Sequence, residues 1–111
     1  MTGISTHVLN ITTGRPLAGL KVELFDMATQ PPTRINSTRT NADGRTDAPM
    51  LSAKDARTGH FELRFHVGDH FKEPDTLADV VPVRFSIYDA AQHYHVPMLC
   101  APWFFSTYRG S

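Results

Sequence analysis

The sequence has few of the features that would assign it to an extracellular, membrane or nucleic-acid-binding class. It contains one cysteine, Cys100, so no disulfide can form within the chain and no oxidising compartment is required. Its 11 basic and 11 acidic residues give a formal net charge of zero. The charge therefore provides no electrostatic basis for binding nucleic acid or an anionic membrane surface. No apolar run approaches the ~18 residues that a transmembrane helix needs.

The length and the first residues narrow the choice further. The 111 residues are close to the commonest domain size, and we expect a single domain over 1–111. The first residues show neither a basic stretch nor an apolar stretch after it, so the sequence predicts no secretory signal. We therefore expect a cytoplasmic protein. Six histidines are present, and their unperturbed pKa of ~6.5 makes the neutral net charge depend on pH.

Alternation of apolar and polar residues with a period of two dominates the chain, most clearly in 61–67 and 81–87. Turn-forming sequences separate these runs, and the pattern predicts an all-β sandwich of two sheets. We expect about eight strands, near residues 4–9, 20–27, 33–40, 46–48, 60–68, 80–89, 93–100 and 103–108. Residues 69–79 lack the alternation and are expected to contain one short helical turn. Pro82 predicts that its strand lies at a sheet edge or begins with a bulge.

Two histidines, His93 and His95, lie two residues apart in a predicted strand. Their side chains should point to the same face, roughly 7 Å apart. A His-x-His pair on a strand is a familiar zinc arrangement, and His7 would supply a third ligand. Two other interpretations of the pair remain open, namely surface histidines and metal-free acid–base catalysis. Asp and Glu are absent from residues 90–111, which disfavours zinc.

His7 and Arg45 have little meaning when each is considered alone. A single histidine in a strand, such as His7, is more often structural than catalytic. Arg45 follows Asp43-Gly44, a dipeptide that favours a tight turn. An arginine after a turn is usually solvated. In a binding site, however, its planar and permanently charged guanidinium suits a carbonyl-rich or anionic ligand.

Four short motifs carry a resemblance to a known family. Residues 5–9 read Ser-Thr-His-Val-Leu, 41–45 read Asn-Ala-Asp-Gly-Arg, 93–97 read His-Tyr-His-Val-Pro, and 108–111 read Tyr-Arg-Gly-Ser. Over about 4–111 the chain resembles the bacterial 5-hydroxyisourate hydrolases, which are the enzymatic members of the transthyretin family.

The resemblance implies a reaction and a set of catalytic residues. The implied reaction opens the cyclic amide of 5-hydroxyisourate to 2-oxo-4-hydroxy-4-carboxy-5-ureidoimidazoline, during urate degradation to allantoin. His7, Arg45 and His95 would form the catalytic set, with no metal and no other cofactor. His7 would activate water and His95 would be the second acid–base residue, although these two roles can be exchanged. Arg45 would clamp the substrate and stabilise the oxyanion.

The resemblance also assigns the terminal segment to the substrate site. Tyr108 would orient the purine-like ring, while Arg109, Gly110 and Ser111 would bind substrate and close the pocket. We expect a turn at Gly110 that folds the end back over the cleft. The implied assembly is a homotetramer, a dimer of dimers with active sites in the clefts where dimers meet.

Two alternatives remain besides a metal-independent hydrolase. One is a non-enzymatic carrier of small ligands on the same fold, and the other is a zinc hydrolase that uses His7, His93 and His95. Outside these motifs, Cys100 is expected to be a small buried hydrophobe. Three further histidines are expected to face solvent, and three aromatic residues are expected in the core or an interface. They are His60, His66 and His70, and Trp103, Phe104 and Phe105, respectively.

Overall fold

Eight strands in two sheets account for about half of residues 3–111, the part of the chain that this computed structural model describes. The strands are β1 (Gly3–Asn10), β2 (Arg15–Pro16), β3 (Lys21–Asp26), β4 (Thr33–Arg39), β5 (Gly59–His66), β6 (Val80–Ile87), β7 (His93–Ala101) and β8 (Phe104–Thr107). A 3₁₀ turn spans Ala53–Asp55 and a short helix, α1, spans Val67–His70. The predicted all-β sandwich is thus confirmed.

Each sheet has four strands. The first has the order β2-β1-β7-β8 and the second the order β4-β3-β5-β6. β1 and β7 are parallel, whereas the other neighbouring strands are antiparallel. β6 is an edge strand, as Pro82 predicts, because proline has no amide hydrogen to donate to a further strand. No helix within residues 3–111 is long and apolar enough to cross a membrane.

The core lies between the sheets and is formed by the apolar face of each alternating strand. Phe61 and Phe65 of β5 are almost completely buried, as is Ile4 of β1. Burial of each such side chain contributes about 1.5–3 kcal/mol to stability. Cys100 is also fully buried, which confirms the prediction for it, and burial raises the pKa of its thiol to about 11.

One short predicted strand is wrong, and the predicted helical turn exists with different bounds. Residues 46–48 form a bend instead of a strand, because the hydroxyl of Thr46 donates to the carbonyl of Ala48 and Pro49 follows. A two-residue strand that was not predicted, β2, pairs instead with the end of β1. The helical turn begins at Val67, earlier than expected, and shortens the strand predicted for 60–68.

One predicted surface histidine is held against the second sheet. His60 and His70 are exposed, as expected. The prediction for His66 is wrong, because its side chain is only 17% exposed and its Nε2 lies 2.5 Å from a carboxylate oxygen of Glu23. Burial alone would raise the pKa of Glu23, but hydrogen bonds from His66 and Arg34 outweigh it and lower the pKa.

Candidate active site

The parallel pairing of β1 with β7 brings the three histidines of the motifs, His7, His93 and His95, onto neighbouring strands. Ser5 lies opposite His95 and His7 lies opposite Pro97 in the register of the two strands. Because side chains alternate along a strand, the odd-numbered residues of β1 and β7 share the outer face of the first sheet. The even-numbered residues, such as Thr6 and Val96, face the core and are buried.

Ser5 bridges the two histidines of β7. Its Oγ lies 2.7 Å from Nε2 of His93 and 2.8 Å from Nδ1 of His95. The sequence analysis did not identify Ser5 as a site residue. Its position could have indicated such a role, because Ser5 lies two residues before His7 and therefore on the same face of the strand.

A tight turn presents Arg45 to β1. The side-chain oxygen of Asn41 accepts hydrogen bonds from the amides of Asp43 and Arg45, at 2.9 and 3.2 Å. Gly44 has φ +74°, and its carbonyl accepts a 2.8 Å hydrogen bond from the amide of Val8. A Cβ on Gly44 would lie 2.4 Å from the carbonyl oxygen of Val8, so only glycine permits this approach.

As a result, Arg45 forms an isolated antiparallel bridge with His7. The arginine thus lies beside β1, while His95 lies on β7 at the other side of that strand. Three of the predicted site residues, His7, Arg45 and His95, are therefore brought to one part of the first sheet. They come from stretches that lie about 40 to 90 residues apart in the sequence.

The terminal segment continues β8 along β7. The β7–β8 register runs from Ala101 opposite Phe104 to Met98 opposite Thr107, and it continues to a bridge between His95 and Gly110. The amide of Gly110 donates to the carbonyl of His95 at 2.8 Å. The predicted turn at Gly110 is wrong, because its φ is not positive and the segment stays in the strand register.

Gly110 lies directly against the ring of His95. A Cβ on this residue would be 2.5 Å from Cδ2 of His95 and 3.0 Å from Cγ of Pro97. The absence of a side chain at Gly110 therefore permits the close approach. Ser111 follows and is exposed.

The guanidinium of Arg109 reaches the backbone carbonyl of His93, at 3.4 Å, and not its imidazole. Tyr108 and Arg109 lie between the sheets. Together with Tyr94 they line a cavity of about 330 Å³ between the two sheets. The guanidinium of Arg109 lies 4.3 Å from the centre of the Tyr94 ring. It also donates to the side-chain carbonyl of Gln92 at 2.8 Å. The expected contact of Tyr108 and Arg109 with substrate stays a prediction.

The environment of His95 disfavours the charged form of its imidazole. Burial lowers the pKa of His95 below its ordinary value of 6.5, and the positive charge of Arg45 lowers it further. His93 and His7 add smaller effects in the same direction. A neutral imidazole can accept a proton from water near neutral pH, which suits general-base catalysis.

A shallow opening lies beside this cluster. Its volume is about 220 Å³, and its lining includes Ser5, Arg45, Asp47 and His93. This is smaller than the 300–1,000 Å³ that is typical of a site that encloses a small molecule.

The described side chains do not form an evident metal site. Among residues 3–111, no group of three or more His, Cys, Asp or Glu side chains is arranged to hold a metal ion. The set considered for zinc, His7, His93 and His95, is thus not such a group. Ser5 contacts one ring nitrogen of each of the last two histidines.

Comparison with known proteins agrees with this geometry. The sequence pattern of the HIUase/Transthyretin family matches residues 4–110. The 5-hydroxyisourate hydrolase of Deinococcus radiodurans is 44% identical over 115 aligned positions, which cover 98% of this chain and 96% of that protein. This chain belongs to the HIUase/transthyretin family.

Solved structures of the HIUase/transthyretin family extend the comparison. The 5-hydroxyisourate hydrolase of Klebsiella pneumoniae superposes with a TM-score of 0.81 at 33% identity, and the match covers 97% of this chain and 98% of that one. Sea bream transthyretin in complex with thyroxine superposes with a TM-score of 0.87, covering 96% and 93% of the two chains. At 16% identity, this match shows only that the two proteins share a fold.

Proposed function

We propose that the protein is a 5-hydroxyisourate hydrolase, which opens the cyclic amide of its substrate to 2-oxo-4-hydroxy-4-carboxy-5-ureidoimidazoline. The observation that carries the proposal is the convergence of His7, Arg45 and His95 on one part of the first sheet, although they come from three separate stretches. The 44% identity to a protein of that name over almost the whole chain supports it. Sea bream transthyretin, whose bound thyroxine is in line with the carrier alternative, is 16% identical to this chain.

The proposed reaction needs three groups. Water attacks the amide carbonyl, a C–O bond forms, and a base takes a proton from the water. The negative charge that develops on the carbonyl oxygen requires a positive or hydrogen-bonding partner. The C–N bond then breaks, and the leaving nitrogen receives a proton from an acid.

We assign the two proton transfers to the histidines and the charge stabilisation to the arginine. The lowered pKa of His95 favours its neutral form, so it can serve as base as well as acid. His7 is the second acid–base residue, and Arg45 holds the substrate and stabilises the oxyanion. Tyr108 and residues 109–111 are proposed to contact the substrate from the tail.

We further propose that the active enzyme is a homotetramer, a dimer of dimers. Strands β6 and β8 are both edge strands, and large apolar side chains near them are exposed, among them Tyr88 at 83% and Trp103 at 57%. Apolar patches of this kind are typical of subunit interfaces. The opening beside Arg45 is also too shallow to enclose a substrate without a second subunit. Light scattering at micromolar concentration should give four times the chain mass, and a monomer mass would contradict the proposal.

The direct test of activity generates the substrate in place. 5-Hydroxyisourate is formed from urate by uricase, and its ultraviolet absorbance is followed with and without the protein. We expect the protein to accelerate the decay in proportion to its concentration. No acceleration by a folded protein would refute the proposed function.

We expect the reaction in the cytoplasm, since the single cysteine needs no oxidising compartment.

A further inference from the structure

The hydroxyl of Ser5 contacts two imidazole nitrogens and can donate its proton to only one of them. A serine hydroxyl has one proton to donate and lone pairs that accept. Its Oγ lies within hydrogen-bond distance of both Nε2 of His93 and Nδ1 of His95. If Ser5 donates to one of these nitrogens, the other nitrogen must carry a proton and donate to Ser5. In that arrangement the two histidines have opposite protonation at the nitrogens that face Ser5.

We propose that Ser5 is a positioning residue that couples His93 to His95 and so sets which ring nitrogen of His95 carries the proton. This inference rests on the proposed function for its catalytic meaning. When Nδ1 of His95 donates to Ser5, Nε2 is bare and is a base. When Ser5 donates to Nδ1, a neutral His95 carries its proton on Nε2 and is an acid.

The coupling allows His95 to act in both proton transfers. As Nε2 of His95 takes a proton from water, its Nδ1 proton passes to the Ser5 oxygen, and the Ser5 proton passes to Nε2 of His93. His95 is then neutral with a proton on Nε2, and His93 is an imidazolium ion. Transfer of the Nε2 proton to the leaving nitrogen, with the reverse shift through Ser5, restores the starting state. No proton is gained or lost in the cycle.

The surroundings favour moving positive charge away from His95. The imidazole of His95 is partly buried and lies in the field of Arg45, both of which disfavour its charged form. The other groups that act on it are His93 and, from β1, His7. Asp47 lines the same opening as Arg45 and His93. A charge on His93 thus faces an opening that an acidic residue also lines.

The first test measures protonation and requires no substrate. Protein labelled with ¹⁵N in histidine is studied by long-range ¹H–¹⁵N NMR, which distinguishes protonated from bare ring nitrogens. We expect one of the two nitrogens that face Ser5 to be protonated and the other to be bare. Two bare or two protonated nitrogens at neutral pH would overturn the coupling, whether or not the protein hydrolyses 5-hydroxyisourate.

A matched pair of variants isolates the hydroxyl. Ser5→Thr and Ser5→Val have nearly the same shape and both suit a strand, but only threonine can make the bridge. We expect Ser5→Thr to keep the NMR pattern and a rate within a few-fold of wild type. Ser5→Val should lose the pattern and lower kcat by about 10²-fold, the usual size of an acid–base contribution, with little change in KM.

The pH profile and a remote control separate coupling from a general loss of structure. The acid limb of kcat should shift in Ser5→Val and not in Ser5→Thr. Ser86→Ala removes a similar hydroxyl that lies 2.7 Å from Nδ1 of His60 on the other sheet, and it should change neither the rate nor the His95 signals. Equal rates in Ser5→Thr and Ser5→Val would overturn the proposal.

Discussion

Gly110→Ala tests whether the register of the tail positions His95. The added Cβ would lie 2.5 Å from Cδ2 of His95, whereas ordinary contacts of this kind are 3.4 Å or longer. The backbone at Gly110 has no positive φ, so alanine is not strained by its own dihedral angles. Any effect must therefore come from the contacts of the new Cβ, of which the one with the His95 ring is the shortest and those with Pro97 are the next.

The overlap requires a displacement of roughly 1 Å in either the tail or the imidazole. A misplacement of this size in a catalytic group can cost about 10²-fold in rate. That loss corresponds to about 2.7 kcal/mol of transition-state stabilisation. Detachment of the tail would also break the hydrogen bond from Gly110 to the His95 carbonyl, which contributes about 1 kcal/mol to stability. We therefore expect kcat/KM to fall about 10²-fold with only a small loss of folding free energy.

Stopped-flow decay of 5-hydroxyisourate gives kcat/KM, and thermal melting gives the stability of the same samples. Gly19→Ala is the matched control, because Gly19 has φ +77° and a Cβ there meets nothing within 4 Å. That variant should lose about 1 kcal/mol of stability through backbone strain and keep its rate. If Gly110→Ala retains a rate within about threefold of wild type, the tail does not position His95, and the reasoning fails.

Four further predictions concern the same site. His7→Ala, Arg45→Ala and His95→Ala should each lower turnover by at least ~10²-fold and leave assembly intact, with His60→Ala as a silent control; near-normal rates would refute the site assignment. Activity should persist in excess EDTA, and a loss that zinc restores would favour the zinc alternative. Because burial and Arg45 lower the pKa of His95, the acid limb of kcat/KM should lie below pH 6.5. The same shift means that the unfolded chain binds a proton at His95 more readily than the folded chain does. The free energy of unfolding should therefore be highest above pH 6.5 and decrease as the pH falls, which denaturant titrations at several pH values can check.

The sandwich was predictable where a strand is long enough for its alternation to be read. Residues 81–87 show the pattern, and Pro82 correctly indicated an edge strand. Very short strands carry no such signal. β2 exists because Arg15 and Pro16 pair with the end of β1, and residues 46–48 bend because of a local hydroxyl contact. The first outcome depends on a pairing partner outside the strand itself, and the second on one side-chain contact that an alternation pattern does not show.

The identities of the candidate site residues were predictable, but not their arrangement. The motifs indicated His7, Arg45 and His95, each of which had a more ordinary interpretation by itself. What brings them together is a parallel pairing between strands about 90 residues apart in the sequence and the close approach of Gly44 to Val8. Ser5 has a bridging position only because this register sets it opposite His95.

The tail shows why a glycine is ambiguous in sequence. Glycine is used where a positive φ is needed, and also where a neighbour comes too close for a Cβ. Gly44 meets both conditions, whereas Gly110 meets only the second. A turn at Gly110 would have released the tail from β7. The hydrogen bond that the Gly110 amide donates to the His95 carbonyl keeps the tail in register. The segment is therefore tied to the ring that it contacts, and a shift of either one must displace the other.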